Sequence, residues 1–218
     1  MSAGRVPVPL ARALARKLMA ELAPYVERSK IVGSLRRLGP RPAEGITVGD
    51  VEILAEPKLR SDGDLFSPED VPELEPIRRL LRRKGELKKA GDRFVQVLVG
   101  MAPRGGAEDN RIPVDLFLCH PPADWGVLEA IRTGPAHFSR HCVTELRRKG
   151  WRCVDGQVWA PADSWVGPSP PPGSGFRNFE GGGGTVSYQR VDCPTEADFF
   201  EACGVPLEEP ARRGVSGP

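Results

Sequence analysis

Two carboxylates, Asp50 and Glu52, stand one residue apart in the run VGDVEIL, and a third, Asp115, interrupts the apolar run VDLFL. Alternate residues of a strand share a face, so Asp50 and Glu52 would lie about 6 to 7 Å apart, within reach of one cation. Carboxylates on neighbouring strands can hold two divalent ions about 3.5 to 4 Å apart. That arrangement stabilises the attacking and leaving oxygens of a phosphoryl transfer. Acids embedded in apolar strands cost several kcal/mol unless a metal or a base neutralises them. The alternative is an exposed sheet face on which the acids meet arginines.

Upstream lies Gly33-Ser34-Leu35-Arg36-Arg37. A strand, then Gly33, then a helix opening at Ser34 would offer backbone N–H groups and a hydroxyl to an anion, and Arg36 and Arg37 add charge suited to phosphate oxygens. An anion-binding turn ahead of a carboxylate strand is what a nucleoside triphosphate and its metal ions require.

The surrounding pattern predicts the elements that position these groups. Leu10, Leu14, Leu18 and Leu22 recur every four residues, a helix over 9–22 with Pro9 in its first turn and Pro24 after its end. Residues 30–32 form a short apolar approach to Gly33, and the alternation over 48–54 predicts a strand. A helix follows over 72–84, then strands 86–89 and 94–99 about the turn Ala90-Gly91-Asp92, and a strand over 114–118. Helices are predicted over 125–132 and 135–149, separated by Gly134. Residues 151–153 and 157–159 read as a hairpin about Asp155-Gly156. GPSPPPGSG and GGGG, within 167–184, read as a flexible loop too poor in apolar residues to pack. Thr195 caps a last short helix that Gly204 stops, and the tail beyond Pro210 reads as loose.

Composition narrows the class. The chain has 218 residues, 31 basic and 29 acidic, for a formal charge of +2, so any anionic partner must be recognised by local patches. One patch is Arg82, Arg83, Lys84, Lys88 and Lys89; another is Arg140, Arg147 and Arg148 on the 135–149 helix. Both could grip a nucleic-acid backbone or simply face water. Five cysteines without a close pair fit a reducing compartment, and Arg12, Arg16 and Lys17 break the candidate apolar segment near the N-terminus, so a soluble, cytoplasmic monomer with no membrane partner is expected. Cys119, His120, His137 and His141 lack the spacing of a zinc site. The four tryptophans read as core or hairpin anchors rather than base-stacking platforms.

Gly33-Ser34, a variable loop and Gly49-Asp50-Val51-Glu52 together resemble the signature of the polymerase beta type nucleotidyltransferases, and GSLRR with VGDVEIL looks most like the family X DNA polymerases. The likeness continues through VDLFLCHPPADWGVLEAIRTGPAHFSRHCVTELRRKGW and, near the end, TEADFFEACGVPLEEPARR, and is weakest over 160–190. It implies an α+β fold: a palm, a mixed β-sheet with helices on one face, over 1–134, and a small α+β thumb over 135–218. The larger members add a lyase domain and a helix-hairpin-helix domain; this chain is similar to the minimal palm-plus-thumb members.

By that resemblance Asp50, Glu52 and Asp115 are the catalytic residues and hold two Mg²⁺ ions, with Mn²⁺ as a substitute. Gly33, Ser34, Arg36, Arg37 and Gly49 would contact the triphosphate of a dNTP, and Thr133 and Gly134 the incoming sugar. DNA, as primer-template or gapped duplex, would be the partner in short-gap repair. The family's turn holds a cis peptide after its glycine, so the bond between Gly134 and Pro135 is expected to be cis. Two departures stand out. Pro113 occupies the place of an arginine two residues before the third acid, with Arg111 two further back. Ile131 and Arg132 replace an aromatic pair. The same three-acid core also serves enzymes that act on RNA ends or small molecules, and a non-catalytic DNA-binding relative is the remaining alternative.

Overall fold

Strands rich in Val, Ile and Leu bounded by two amphipathic helices fold into a helix-backed sheet in the first half of the chain. The structure is a computed structural model and describes residues 4–61, 70–101, 111–121, 123–162, 176–181 and 184–213. It divides into two compact units, Met1–His120 with Pro210–Arg212, and Pro121–Glu209 with Arg213–Pro218.

The first unit runs β1 (Val6–Pro7), α1 (Val8–Leu22), β2 (Val26–Ile31), α2 (Gly33–Arg37), β3 (Thr47–Val48), β4 (Val51–Pro57), β5 (Leu59–Ser61), β6 (Asp70–Pro72), α3 (Glu75–Lys84), β7 (Gly85–Ala90), β8 (Phe94–Gly100) and β9 (Arg111–Leu118). Five strands form one sheet in the order β2-β4-β9-β8-β7. The β4–β9 pair is parallel, and the other neighbours are antiparallel. Val51, Ile53 and Ala55 of β4, Val95 and Val97 of β8 and Val114 and Leu116 of β9 point to one face. There they bury against Ala11, Ala15, Leu18 and Leu22 of α1 and Ile77 and Leu81 of α3.

Two local readings of the sequence change. The strand expected over 48–54 is interrupted: Val48 pairs with Val6 in a separate two-stranded ribbon, and β4 starts only at Val51, so Asp50 stands at its head rather than within it. Strand β9 begins three residues earlier than the apolar run, at Arg111, and takes in Pro113. The proline is tolerated there because odd-numbered residues of this strand turn their backbone groups toward β4, as Cys119 N–H does to the Ala55 carbonyl, and the β4 pairing starts only at Val114, so the N–H that Pro113 lacks would face no strand.

The second unit contains α4 (Trp125–Thr133), α5 (Ala136–Arg148), β10 (Arg152–Val154), β11 (Gln157–Pro161), β12 (Phe176–Gly181), β13 (Gly184–Val191) and α6 (Glu196–Cys203). The four strands form an antiparallel sheet, β10-β11-β13-β12, with Val158, Cys153 and Val191 on the face turned to α4, α5 and α6. The unit starts well ahead of the boundary expected after Gly134, because α4 packs with α6. Gly126 N–H donates to the Cys193 carbonyl at 3.1 Å, and a Cβ at Gly126 would fall 1.9 Å from the Thr195 carbonyl oxygen. The bond between Gly134 and Pro135 is cis.

Part of the stretch read as a flexible loop is also ordered. Residues 167–175 and 182–183 lie outside the described residues, but Phe176–Gly181 and Gly184–Val191 pair along their length. The Phe179–Tyr188 ring contact, 5.1 Å between centroids, supplies packing that a count of glycines does not reveal.

The tail is corrected as well. Arg213 is 0 % exposed, ion-paired to Glu196 at 2.7 Å, and lies over the rings of Phe138 and Phe200. All five cysteines are free thiols. Among the described residues no helix is long and apolar enough to cross a membrane. Removing one partner of a buried ion pair strands the other charge, so Arg213→Ala should cost about 3 to 5 kcal/mol in urea unfolding, and the paired change Arg213→Met with Glu196→Gln should recover most of it.

Candidate active site

Register decides which side chains meet on the face of the first sheet opposite α1 and α3. Glu52 on β4 pairs with Asp115 on β9, and Asp115 pairs with Gln96 on β8, so the three stand in one row across the sheet. The next row is Leu54, Phe117 and Phe94, with the two phenylalanines stacked at 5.2 Å. Leu54 is fully buried although it shares the face of Glu52. Asp50, immediately before β4, brings a third carboxylate to the head of the strand.

The Asp115 carboxylate accepts a hydrogen bond from Gln96 Nε2 at 2.7 Å. Gln96 was legible only as the one polar residue in FVQVLV, and nothing in the sequence alone tied it to Asp115. Arg111, on the same strand, ion-pairs with Glu86 at 3.1 Å. Lys88 and then Arg111 hold the Glu86 carboxyl below its usual range.

Glu52 links the acids to the Gly-Ser turn. Its carboxylate lies against Gly33, where a Cβ would fall 1.6 Å from Glu52 Oε2, and it accepts the backbone N–H of Ser34. Gly33 has φ of 64°, the left-handed region, so this position needs glycine both for backbone conformation and for space. Val32 N–H donates to the Glu52 carbonyl at 3.0 Å, fixing the turn to the strand. The Ser34 amide expected to face an external anion is therefore occupied by a carboxylate of the chain itself.

The electrostatics follow from this crowding. Burial raises the Glu52 pKa first, Asp50 and Asp115 raise it further, and Arg37 and the Ser34 N–H lower it; the result is about 7. Arg37 thus lies within electrostatic reach of Glu52 and offsets part of its rise. Arg36 follows Ser34 and Leu35 on the same short helix α2. Arg12 was not anticipated. It reaches from α1 to the C-terminal end of α2, donating to the carbonyls of Leu35 at 3.2 Å, Pro40 at 3.0 Å and Gly39.

The remaining candidates are distributed over both units. Gly49 forms the bend before Asp50. Thr133, fully buried, and Gly134 belong to the second unit, at the turn between α4 and α5. Several of the basic residues are matched by acids: Arg82 with Glu75 at 2.8 Å, Lys84 with Glu21 at 2.5 Å, Lys88 with Glu86 at 2.6 Å and Arg148 with Glu145 at 2.5 Å. Arg83, Lys89, Arg140 and Arg147 are exposed.

The donor set formed by Asp50, Glu52 and Asp115 is oxygen-only, the kind hard divalent cations take. Among the described residues no group of three or more His, Cys, Asp or Glu closes into a ready-made metal centre. Glu52 is turned onto the Ser34 amide, with Asp50 and Asp115 within electrostatic reach of it. No protein-family model matches the chain, and no curated protein matches it.

A glutamate whose pKa rises from 4.5 to about 7 on folding binds more protons in the native state than in the unfolded one between those values. Its contribution is fully present below pH 4.5 and lost as pH rises through 7. Stability of the metal-free protein should fall over that window by about 3 kcal/mol, and Glu52→Gln should flatten the profile in urea titrations at stepped pH. Gly33→Ala should destabilise by about 2 kcal/mol or more in the same assay, through positive φ and the clash with Glu52.

Proposed function

We propose that this chain is a metal-dependent nucleotidyltransferase of the family X DNA polymerase type: a DNA primer 3′-hydroxyl attacks the α-phosphorus of a dNTP, the α–β phosphoanhydride breaks, and dNMP is added with release of pyrophosphate, in short-gap repair. The observation that carries the reading is the row Glu52–Asp115, with Asp50 at its head, set beside the Gly33-Ser34 turn on the sheet face opposite α1 and α3. Burial, with Asp50 and Asp115 close by, lifts Glu52 to about 7, and such crowding of carboxylates fits a site built to receive divalent cations.

In this reading Asp50, Glu52 and Asp115 would hold two Mg²⁺ ions, which when bound neutralise phosphate charge and ease deprotonation of the attacking hydroxyl. Asp115, held by Gln96 at 2.7 Å, accepts the proton of the 3′-hydroxyl. The Ser34 amide, Arg37 and Arg36 bind the triphosphate, whose arrival displaces Glu52 from Ser34 and returns its carboxylate to the other two acids. Gly49 lets the backbone approach the phosphates. Exposed Arg83, Lys89, Arg140 and Arg147 supply the salt-dependent hold on the DNA backbone. The fold class in this reading is the palm, the first unit, followed by a thumb.

The test is extension of gapped, recessed and single-stranded primers, each with dNTPs and with NTPs, across a Mg²⁺ series. The expected outcome is template-directed dNMP addition that Asp50→Asn or Asp115→Asn lowers by about three orders of magnitude with the fold intact. Addition to RNA ends alone, or nucleotide transfer only to a small molecule, moves the assignment to those relatives. Wild-type extension by Asp50→Asn overturns the three-acid site.

A further inference from the structure

The second sheet packs one face on helices, and among the described residues of its own unit no helix packs on the other. On the packed side Cys153, Val158 and Val191 meet α4, α5 and α6. Register places Arg152, Trp159, Arg177, Phe179, Val186 and Tyr188 together on the other side, through the pairs Arg152 with Trp159, Arg177 with Tyr188 and Phe179 with Val186.

The arginines there lie over rings. The Arg152 guanidinium is 4.9 Å from the Phe179 centroid and 5.3 Å from that of Tyr188. That of Arg177 is 5.4 Å from Phe179 and 5.9 Å from Trp159. Two guanidiniums thus flank one ring. Cation–π contact fixes such a group flat and leaves its N–H edges for other partners.

Those partners are scarce among the described residues. Among the described residues no carboxylate pairs with Arg152, whereas Arg190 on the same face is ion-paired with Asp124 and Asp192; the Nε of each is buried without a hydrogen bond. Arg177 has one exposed partner, Asp155 at 3.2 Å. Beside them Val186 is 45 % exposed and Phe179 is half-buried. The face therefore offers planar cations for phosphate and apolar surface for bases, and a single strand presents both where a duplex presents its backbone alone.

We infer that this face, centred on Arg152, Arg177 and Phe179, binds a single-stranded nucleic acid. The naming of that strand as template rests on the nucleotidyltransferase reading; the binding rests on the sheet. It assigns the task to a different surface from the basic residues of α3, β7 and α5.

Fluorescence anisotropy of a labelled single-stranded DNA oligonucleotide with the full chain, repeated over a KCl series, tests it. Arg152→Gln with Arg177→Gln should weaken binding by about tenfold and reduce the slope of log K against log salt by about 0.7 for each arginine that contacts a phosphate. Arg152→Lys should restore most of the slope. If Arg152→Gln does not fold by circular dichroism, Arg177→Gln alone, at an exposed position, should still lower the slope. A folded double variant with unchanged affinity and slope overturns the inference. So does an equal loss on blunt duplex, or competition by polyglutamate as effective as by the oligonucleotide. Because binding is measured without nucleotide or metal, its failure leaves the Asp50→Asn result untouched, and failure of the latter leaves the binding result standing.

Discussion

Like charges placed opposite each other on adjacent strands repel, and the pairing of Glu52 with Asp115 is fixed by a core that has no other solution. In the parallel β4–β9 pair, Ile53 pairs with Leu116 and Val51 with Val114, all four buried. Moving β4 by one residue would send Glu52 into the layer of α1 and α3 and bring Ile53 out to the acids. The helices can close the core only in the register that sets the carboxylates side by side. The unfavourable row is therefore a consequence of the favourable one behind it.

Glu52 relieves part of the repulsion by turning to the Ser34 N–H, and this couples two features that look separate along the chain. The turn that could hold an anion already holds one, tethered to the strand. An external anion at Ser34 must displace Glu52, and a cation among the acids must draw it away. Each event lowers the free energy needed for the other, because both require the same carboxylate to leave the same amide. Arg12 makes the turn a firm partner in that exchange by pinning the far end of α2 to α1. Gly33 makes the exchange sterically feasible, since any side chain there would occupy the position of the glutamate oxygen.

Much of this was legible wherever periodicity and turn chemistry agree. The hairpin of β7 and β8, the helices, and the cap on α6, where Thr195 and Asp198 bond reciprocally, follow from residues close in sequence. The acids and the Gly-Ser turn were legible as a set from spacing alone. What escaped depends on partners distant in the chain. Val48 continues the alternation of β4 yet leaves the strand to pair with Val6. Leu54 is buried beside the acids because Phe117 pairs with it across the parallel ladder. The direction Glu52 faces depends on the left-handed backbone of Gly33, to which the pattern of apolar residues is blind. Arg213 falls in a run that composition reads as tail, and its burial depends on Glu196 and two rings.

The arginines of the second unit show why residue type alone carries so little here. Arg213 and Arg152 both lie over aromatic rings, yet one is sealed by a carboxylate and the other, among the described residues, is not. A guanidinium that has an acid partner and no exposed surface can only hold the fold together, since its charge is cancelled and no outside group can reach it. One that is held by rings keeps its charge, because a ring's quadrupole orients a cation without neutralising it. A helix surface such as α5 tends to the opposite result: Arg148 there finds Glu145 one turn away and loses much of its reach. On a strand the neighbouring positions across the sheet decide, and here they supply rings. Counting basic residues along the sequence favours the helix, whereas the pairing of β10, β11, β12 and β13 favours the sheet.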